Sequence, residues 1–135
     1  MKTYVTDTHA LLWHLVGSDR LSARVRSIFR QADVNESHII VPTIVLVEIV
    51  YLIEKARIPD EIIEKLIELL ETSASNYRLS PIRPATMRSM RTIPYAMIPD
   101  MPDRIIAATA KELGLPLITK DQKILSANVV TVIWE

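Results

Sequence analysis

Residues 38–53 read HIIVPTIVLVEIVYLI, sixteen residues that carry one proline, Pro42, and one carboxylate, Glu48. The stretch is too short and too polar to cross a bilayer whose apolar core is about 30 Å thick. The proline divides it. SHIIVP (37–42) is a short apolar, β-branched run, which suits a strand covered on both faces. Thr43 can open a long helix that runs to about Arg57, in which Val45, Ile44, Tyr51 and Leu52 flank Glu48 at three and four residues. The stretch reads as a buried strand feeding a buried helix. Hidden alone, the Glu48 carboxylate costs several kcal/mol or takes up a proton, so it needs a basic partner, a proton or a metal ion.

Outward from this unit the alternation repeats. KTYVTD (2–7) is β-branched and alternating, and THALLWHLV (8–16) turns to helical spacing. Residues 21–32 form a helix with Leu21, Val25, Ile28, Phe29 and Ala32 on one stripe. Residues 59–74 form a strongly amphipathic helix, 77–82 a third strand and 85–92 a short helix. DMPDRIIAATAKELG (100–114) is a helix with a proline in its first turn and Gly114 as its stop. LPLITKD is a strand, QKILS a helical turn and VVTVIW a last strand. Strands alternating with helices predict an α/β fold with a mostly parallel central sheet covered on both faces, whose sites lie outside the carboxyl ends of the strands.

The whole composition narrows the chemistry. With 135 residues, 49% apolar and 24% charged, and with no repeat or linker, residues 1–135 suit one globular domain. There is no cysteine, which excludes disulfides, thiolate zinc sites and cysteine nucleophiles and fits a cytoplasmic protein. MKTYVTDTHALL lacks the features of a signal peptide, and no membrane span is expected. Two glycines, Gly17 and Gly114, leave no room for a phosphate-cradling loop or a serine-hydrolase elbow. The formal net charge is zero, so any nucleic-acid binding must come from a local patch.

The acids fall in a pattern. Asp7 ends the first strand, and Glu48 lies in the second turn of the helix after the second. Asp100 and Asp103 open a later helix, and Asp121 follows the strand LPLIT. All belong to one rim of the sheet. Carboxylates gathered there repel one another, and a hard divalent cation, Mg²⁺ or Mn²⁺, relieves the repulsion and suits phosphodiester hydrolysis. Each acid also has a local reading: helix caps for Asp100, Asp103 and Asp121, an Asx turn for Asp7, a buried arginine partner for Glu48. Those readings need four coincidences on one edge, whereas the cluster needs one cause.

Four segments in this order, VTDTHALLWHL (5–15), PTIVLVEI (42–49), PDRIIAATA (102–110) and LITKD (117–121), resemble the PIN-domain nucleases, and the D-T-H-A-L-L-W opening is closest to VapC-type toxins of toxin–antitoxin pairs. The resemblance covers essentially the whole chain. It implies a three-layer α/β/α fold and a Mg²⁺- or Mn²⁺-dependent endoribonuclease cutting structured RNA, often tRNA or rRNA. It also implies a homodimer and a cognate antitoxin whose tail enters the active-site groove. By resemblance Asp7, Glu48, Asp103 and Asp121 are the catalytic and metal-binding acids, and Asp100 is an additional metal acid.

Thr8 and Thr119 sit where hydroxyls hold a carboxylate or a water. His9 and His14, five residues apart, do not share a helix face; His9 is expected to pack at the helix start and His38 to be exposed. Arg20, Arg24, Arg26, Arg83, Arg88 and Arg91 are candidates to grip RNA, and Arg104 either joins them or pairs with the acidic rim. The helices at 43–57 and 60–73 carry enough apolar surface for a dimer contact or an antitoxin helix. Two rivals remain: a non-catalytic metal- or RNA-binding protein of the same fold, and a structural module whose acids only cap helices and pair with arginines.

Overall fold

Three consecutive residues of the first strand, β1 (Lys2–Thr6), are buried: Tyr4, Val5 and Thr6. Successive strand side chains point to opposite faces, so helices cover both sides of the sheet. The computed structural model describes residues 1–135. After β1 come α1 (Thr8–Leu15), α2 (Ala23–Asp33), β2 (Ser37–Pro42), α3 (Thr43–Glu54), α4 (Glu61–Glu71) and β3 (Tyr77–Ser80). Then follow α5 (Pro84–Arg91), α6 (Met101–Leu113), β4 (Leu117–Ile118), α7 (Gln122–Ala127) and β5 (Val132–Ile133). Every pairing is parallel, and the order across the sheet is β3-β2-β1-β4-β5. This is the three-layer α/β/α arrangement expected from the alternation.

That order fixes where a site can form. The chain steps from β1 outward to β2 and β3, then returns past β1 to β4 and continues to β5. The reversal falls between β1 and β4, where Val5 lies beside Leu117 and Thr6 beside Ile118. A crevice opens outside the carboxyl ends of two strands at such a switch. One residue beyond this register stand Asp7 and Thr119.

The core joins thirty buried side chains across all the layers. The predicted stripe Leu21, Val25, Ile28, Phe29 and Ala32 is buried throughout, as is the run Ile105–Ala110 of α6. Alanines in that run allow α6 to pack closely on α3 and β1. No helix is long and apolar enough to cross a membrane.

Several boundaries differ from the sequence reading. α3 stops at Glu54, because Ala56 turns into the left-handed region (φ 56°) and Arg57 N–H closes back onto Leu52 O. No glycine announces that stop. At its start α3 does open at Thr43, whose hydroxyl donates to Ser80 O at the end of β3. It is not buried all round: Ile44, Val45 and Ile49 face the core, while Val47, Val50 and Tyr51 are exposed. β4 is two residues long, because β1 has already ended at Thr6 and offers no neighbour to pair with beyond Ile118. Gly114 stops α6 in the left-handed conformation (φ 66°), as its position suggested.

Candidate active site

The switch between β1 and β4 brings the carboxylates to one rim. Asp7 leaves β1 and becomes the N-cap of α1: its Oδ1 accepts the Ala10 N–H at 2.9 Å. Its other oxygen, Oδ2, accepts the Thr119 hydroxyl at 2.6 Å. Thr119 is fully buried at the end of β4, and its Oγ1 also accepts the Asp121 N–H at 3.1 Å. A single hydroxyl therefore ties the two strand ends together. Asp121 caps α7 through Oδ1 and the Ile124 N–H at 2.9 Å, and Asp100 caps α6 through Oδ1 and the Asp103 N–H at 3.0 Å.

The caps do not compete with a cluster. Each uses one carboxylate oxygen, and three helices begin at the same rim because three aspartates do so. The local readings of Asp7, Asp100 and Asp121 hold together with the shared one.

Glu48 reaches the rim from the second turn of α3. It is half-buried, and its Oε1 accepts the hydroxyl of the buried Thr8. Its apolar neighbours are less enclosing than the sequence suggested, since Tyr51 is exposed. No arginine or lysine pairs with it. The chain's two ion pairs are His14–Asp33 and Arg83–Glu112, both away from the acids, so the buried-arginine reading of Glu48 fails.

The electrostatics show the crowding. Burial pushes the Asp103 carboxyl up to about 7, and Asp100, Asp121, Glu48 and Asp7 each add to the rise. Burial also raises Asp7, opposed by the bonds from Thr119 and Ala10 and by the nearby His9, while Asp121 reinforces it. Four acids repel a fifth and no basic side chain pairs with any of them, a repulsion that a divalent cation would relieve. The donors are all hard oxygens, which fit Mg²⁺ or Mn²⁺. They are not a preformed cage: no three Asp, Glu or His side chains are close enough together to hold a metal ion as they stand.

The other candidates separate. Thr8 donates to Glu48 and Thr119 to Asp7, so each hydroxyl orients one acid of the rim. Arg104 does not pair with the acidic rim. Its guanidinium donates to Met90 O and Ile93 O and lies 5.9 Å from the Tyr95 ring centre, fastening the end of α5 to the start of α6. Arg83 is bound to Glu112 at 2.8 Å and is not free for RNA. Arg24 and Arg26 donate to backbone oxygens, of Glu135 and of Asp19 and Leu21. Arg88 and Arg91 stay exposed on α5 without an ion pair, and Arg20 lies over the Trp13 ring. His14 binds Asp33 and stacks on Phe29, a structural role, and His38 is half-buried rather than exposed.

Sequence reasoning missed Lys120. It lies between Thr119 and Asp121 with its ammonium 5.9 Å from the Trp13 ring centre, and its only signal was its place inside LITKD.

With this geometry in place, the comparisons fall into line. The PIN domain model matches residues 4–129. The chain belongs to the PIN domain family. Ribonuclease VapC22 of Mycobacterium tuberculosis is 29% identical over 126 residues, covering 93% of this PIN domain chain and 92% of that protein. Among solved structures, VapBC2 from Rickettsia felis, bound to a DNA fragment from its promoter, superposes with a TM-score of 0.73 at 16% identity, over 98% of this chain and 99% of that one. DNA-bound VapBC from Salmonella typhimurium gives 0.72 at 13% identity, over 98% of each chain. At such identities the structural likeness speaks for the PIN fold alone.

Proposed function

We propose that this PIN domain protein is a Mg²⁺- or Mn²⁺-dependent endoribonuclease, the toxin of a type II toxin–antitoxin pair, acting as a single 1–135 nuclease domain in the cytoplasm. The observation that carries the reading is the gathering of Asp7, Glu48, Asp100, Asp103 and Asp121 at the strand-order switch with no basic side chain paired to any of them. The 29% identity to Ribonuclease VapC22 over nearly the whole chain supports the substrate class, and the antitoxin partner follows from the resemblance of the D-T-H-A-L-L-W opening to VapC-type toxins.

Asp7, Glu48, Asp103 and Asp121 would hold the metal, with Asp100 at the margin. When bound, the metal supplies a Lewis acid that activates water and neutralises the phosphate. The rest is the chain's own work. Thr119 holds Asp7 and the Asp121 backbone in register, and Thr8 holds Glu48. Burial and four acidic neighbours hold the Asp103 carboxyl up at about 7, a repulsion that a bound cation would relieve. The displacement at phosphorus, by water, needs no enzyme nucleophile.

The absence of a preformed three-ligand group favours one rival, a non-catalytic metal- or RNA-binding protein of the same fold. The deciding experiment is cleavage of total tRNA and rRNA by the purified protein with Mn²⁺, with EDTA, and as Asp7→Asn or Asp121→Asn. Cutting that stops in all three controls, at unchanged folding, establishes the nuclease; RNA binding without cutting establishes the rival. The exposed Val47, Val50 and Tyr51 on α3 offer apolar surface for the homodimer, which sedimentation would measure.

A further inference from the structure

Beside the carboxylates lies a pocket of about 450 Å³, walled by Thr119, Lys120, Asp121, Gln122, Trp134 and Glu135. Thr119 and Asp121 belong to both the pocket and the acidic rim, so the two share a wall. We propose that this pocket receives one unpaired base of the RNA strand, stacked on Trp134, while Lys120 and Arg20 hold the adjoining phosphate. The proposal rests on the nuclease reading and adds the kind of RNA: a strand that is single, or splayed open, beside the bond that is cut.

The chemistry is local. Lys120 Nζ and Arg20 Cζ lie 5.9 and 5.7 Å from the Trp13 ring centre, two cations gathered on one indole. Neither has a carboxylate within ion-pair distance. Attraction to the ring holds each cation near the indole, and a phosphate that approaches Trp13 is drawn to both. His9 stands against the same ring, 5.9 Å between ring centres. Trp134 meets Trp13 at 69° instead of stacking on it, and it serves as the aromatic wall of the pocket.

Asp121 and Glu135 on the pocket wall reject an anion inside it but accept the N–H edges of a neutral base, and the Gln122 amide offers a donor and an acceptor to the same edge. Base inside and phosphate outside is the arrangement these charges admit. A base paired in a duplex presents no free face to an indole, so the pocket selects unpaired nucleotides. Its volume falls within the range of small-molecule sites, roughly 300–1,000 Å³.

The test is binding of a short single-stranded oligoribonucleotide, and of the same sequence as a duplex, to the full chain carrying Asp7→Asn to prevent cutting. Lys120→Ala is expected to weaken single-strand binding about tenfold and to flatten the salt dependence by about one phosphate contact. Trp134→Leu should weaken it about tenfold and abolish the preference for single strand over duplex, whereas Trp134→Phe, which keeps a stacking face, should restore both. Variants that bind as tightly as their parent overturn the pocket while leaving cleavage by the native chain as support for the nuclease reading. A Trp134→Phe protein as weak as Trp134→Leu overturns the stacking role. A native chain that neither binds nor cuts RNA overturns both proposals together.

Discussion

Two carboxylate sites in this molecule are built on opposite principles. Where α5 crosses α6, Glu112 has a side chain only 10% exposed and is fully answered by its own chain. Arg83 Nε and Nη2 donate to its Oε2 at 2.9 and 2.8 Å, and the Thr86 hydroxyl donates to Oε1 at 2.6 Å. At the sheet rim five carboxylates take hydroxyl and backbone donors but no paired basic side chain, and one of them, Asp103, is pushed up to about 7. Glu112 brings its counter-charge with it; the rim acids do not. The difference lies in the company each acid keeps, and residue type alone does not reveal it.

The comparison breaks most visibly by removing one member of each group. Asp7→Asn keeps an acceptor for the Ala10 N–H, so the fold should persist. Cleavage should fall by about 10³-fold, the scale of several kcal/mol of transition-state stabilisation, read in a gel assay beside a melting curve. Glu112→Ala should do the reverse. It strands Arg83, whose side chain is 39% exposed, so about 2 kcal/mol of stability is lost in urea titration with the activity per folded molecule unchanged. A loss of cutting from Glu112→Ala that exceeds its loss of folded protein would show that the two sites are coupled.

Thr119→Ala sharpens the contrast from inside the rim. It removes the hydroxyl that joins Asp7 to Asp121, and activity should drop about 10–100-fold while metal titration by calorimetry weakens to match. The smallest effect is a pH dependence. The Asp103 carboxyl titrates near 7 in the fold and near 3.8 when unfolded, so the folded chain retains a proton that the unfolded chain has lost across that interval. The associated stability is intact below about 4 and disappears as pH rises through 7. Asp103→Asn should therefore stabilise the metal-free protein at pH 8 by about 1 kcal/mol, discounted for partial exposure, and change little at pH 4. Saturating Mg²⁺ should cancel that advantage of the variant.

The alternation of strands and helices, the switch-point rim and the four acids were all legible in the sequence, because each has a short-range signature: β-branched runs, helical spacing, an aspartate at a strand's end. What escaped notice was set by contacts distant in sequence. Ala56 ends α3 in a conformation that its residue type does not announce. Arg104, adjacent to Asp103 in sequence, points instead to the carbonyls of Met90 and Ile93, because the end of α5 needs donors. Arg83 finds Glu112 twenty-nine residues away. Lys120 carries no signal in the sequence beyond its place between Thr119 and Asp121. Capping and ligation looked like rival explanations of the acids because sequence shows a residue once, whereas the structure shows two oxygens on each.

Three aspartates that start three helices are also bound to the fold in a way that outlasts any chemistry. A descendant that no longer cut RNA would still need an acceptor at positions 7, 100 and 121 to begin α1, α6 and α7, and drift there would run to Asn or Ser before it reached Ala. Glu48 and Asp103 cap nothing. In any collection of relatives, loss of activity would be written first in those two positions, while the other three went on looking intact.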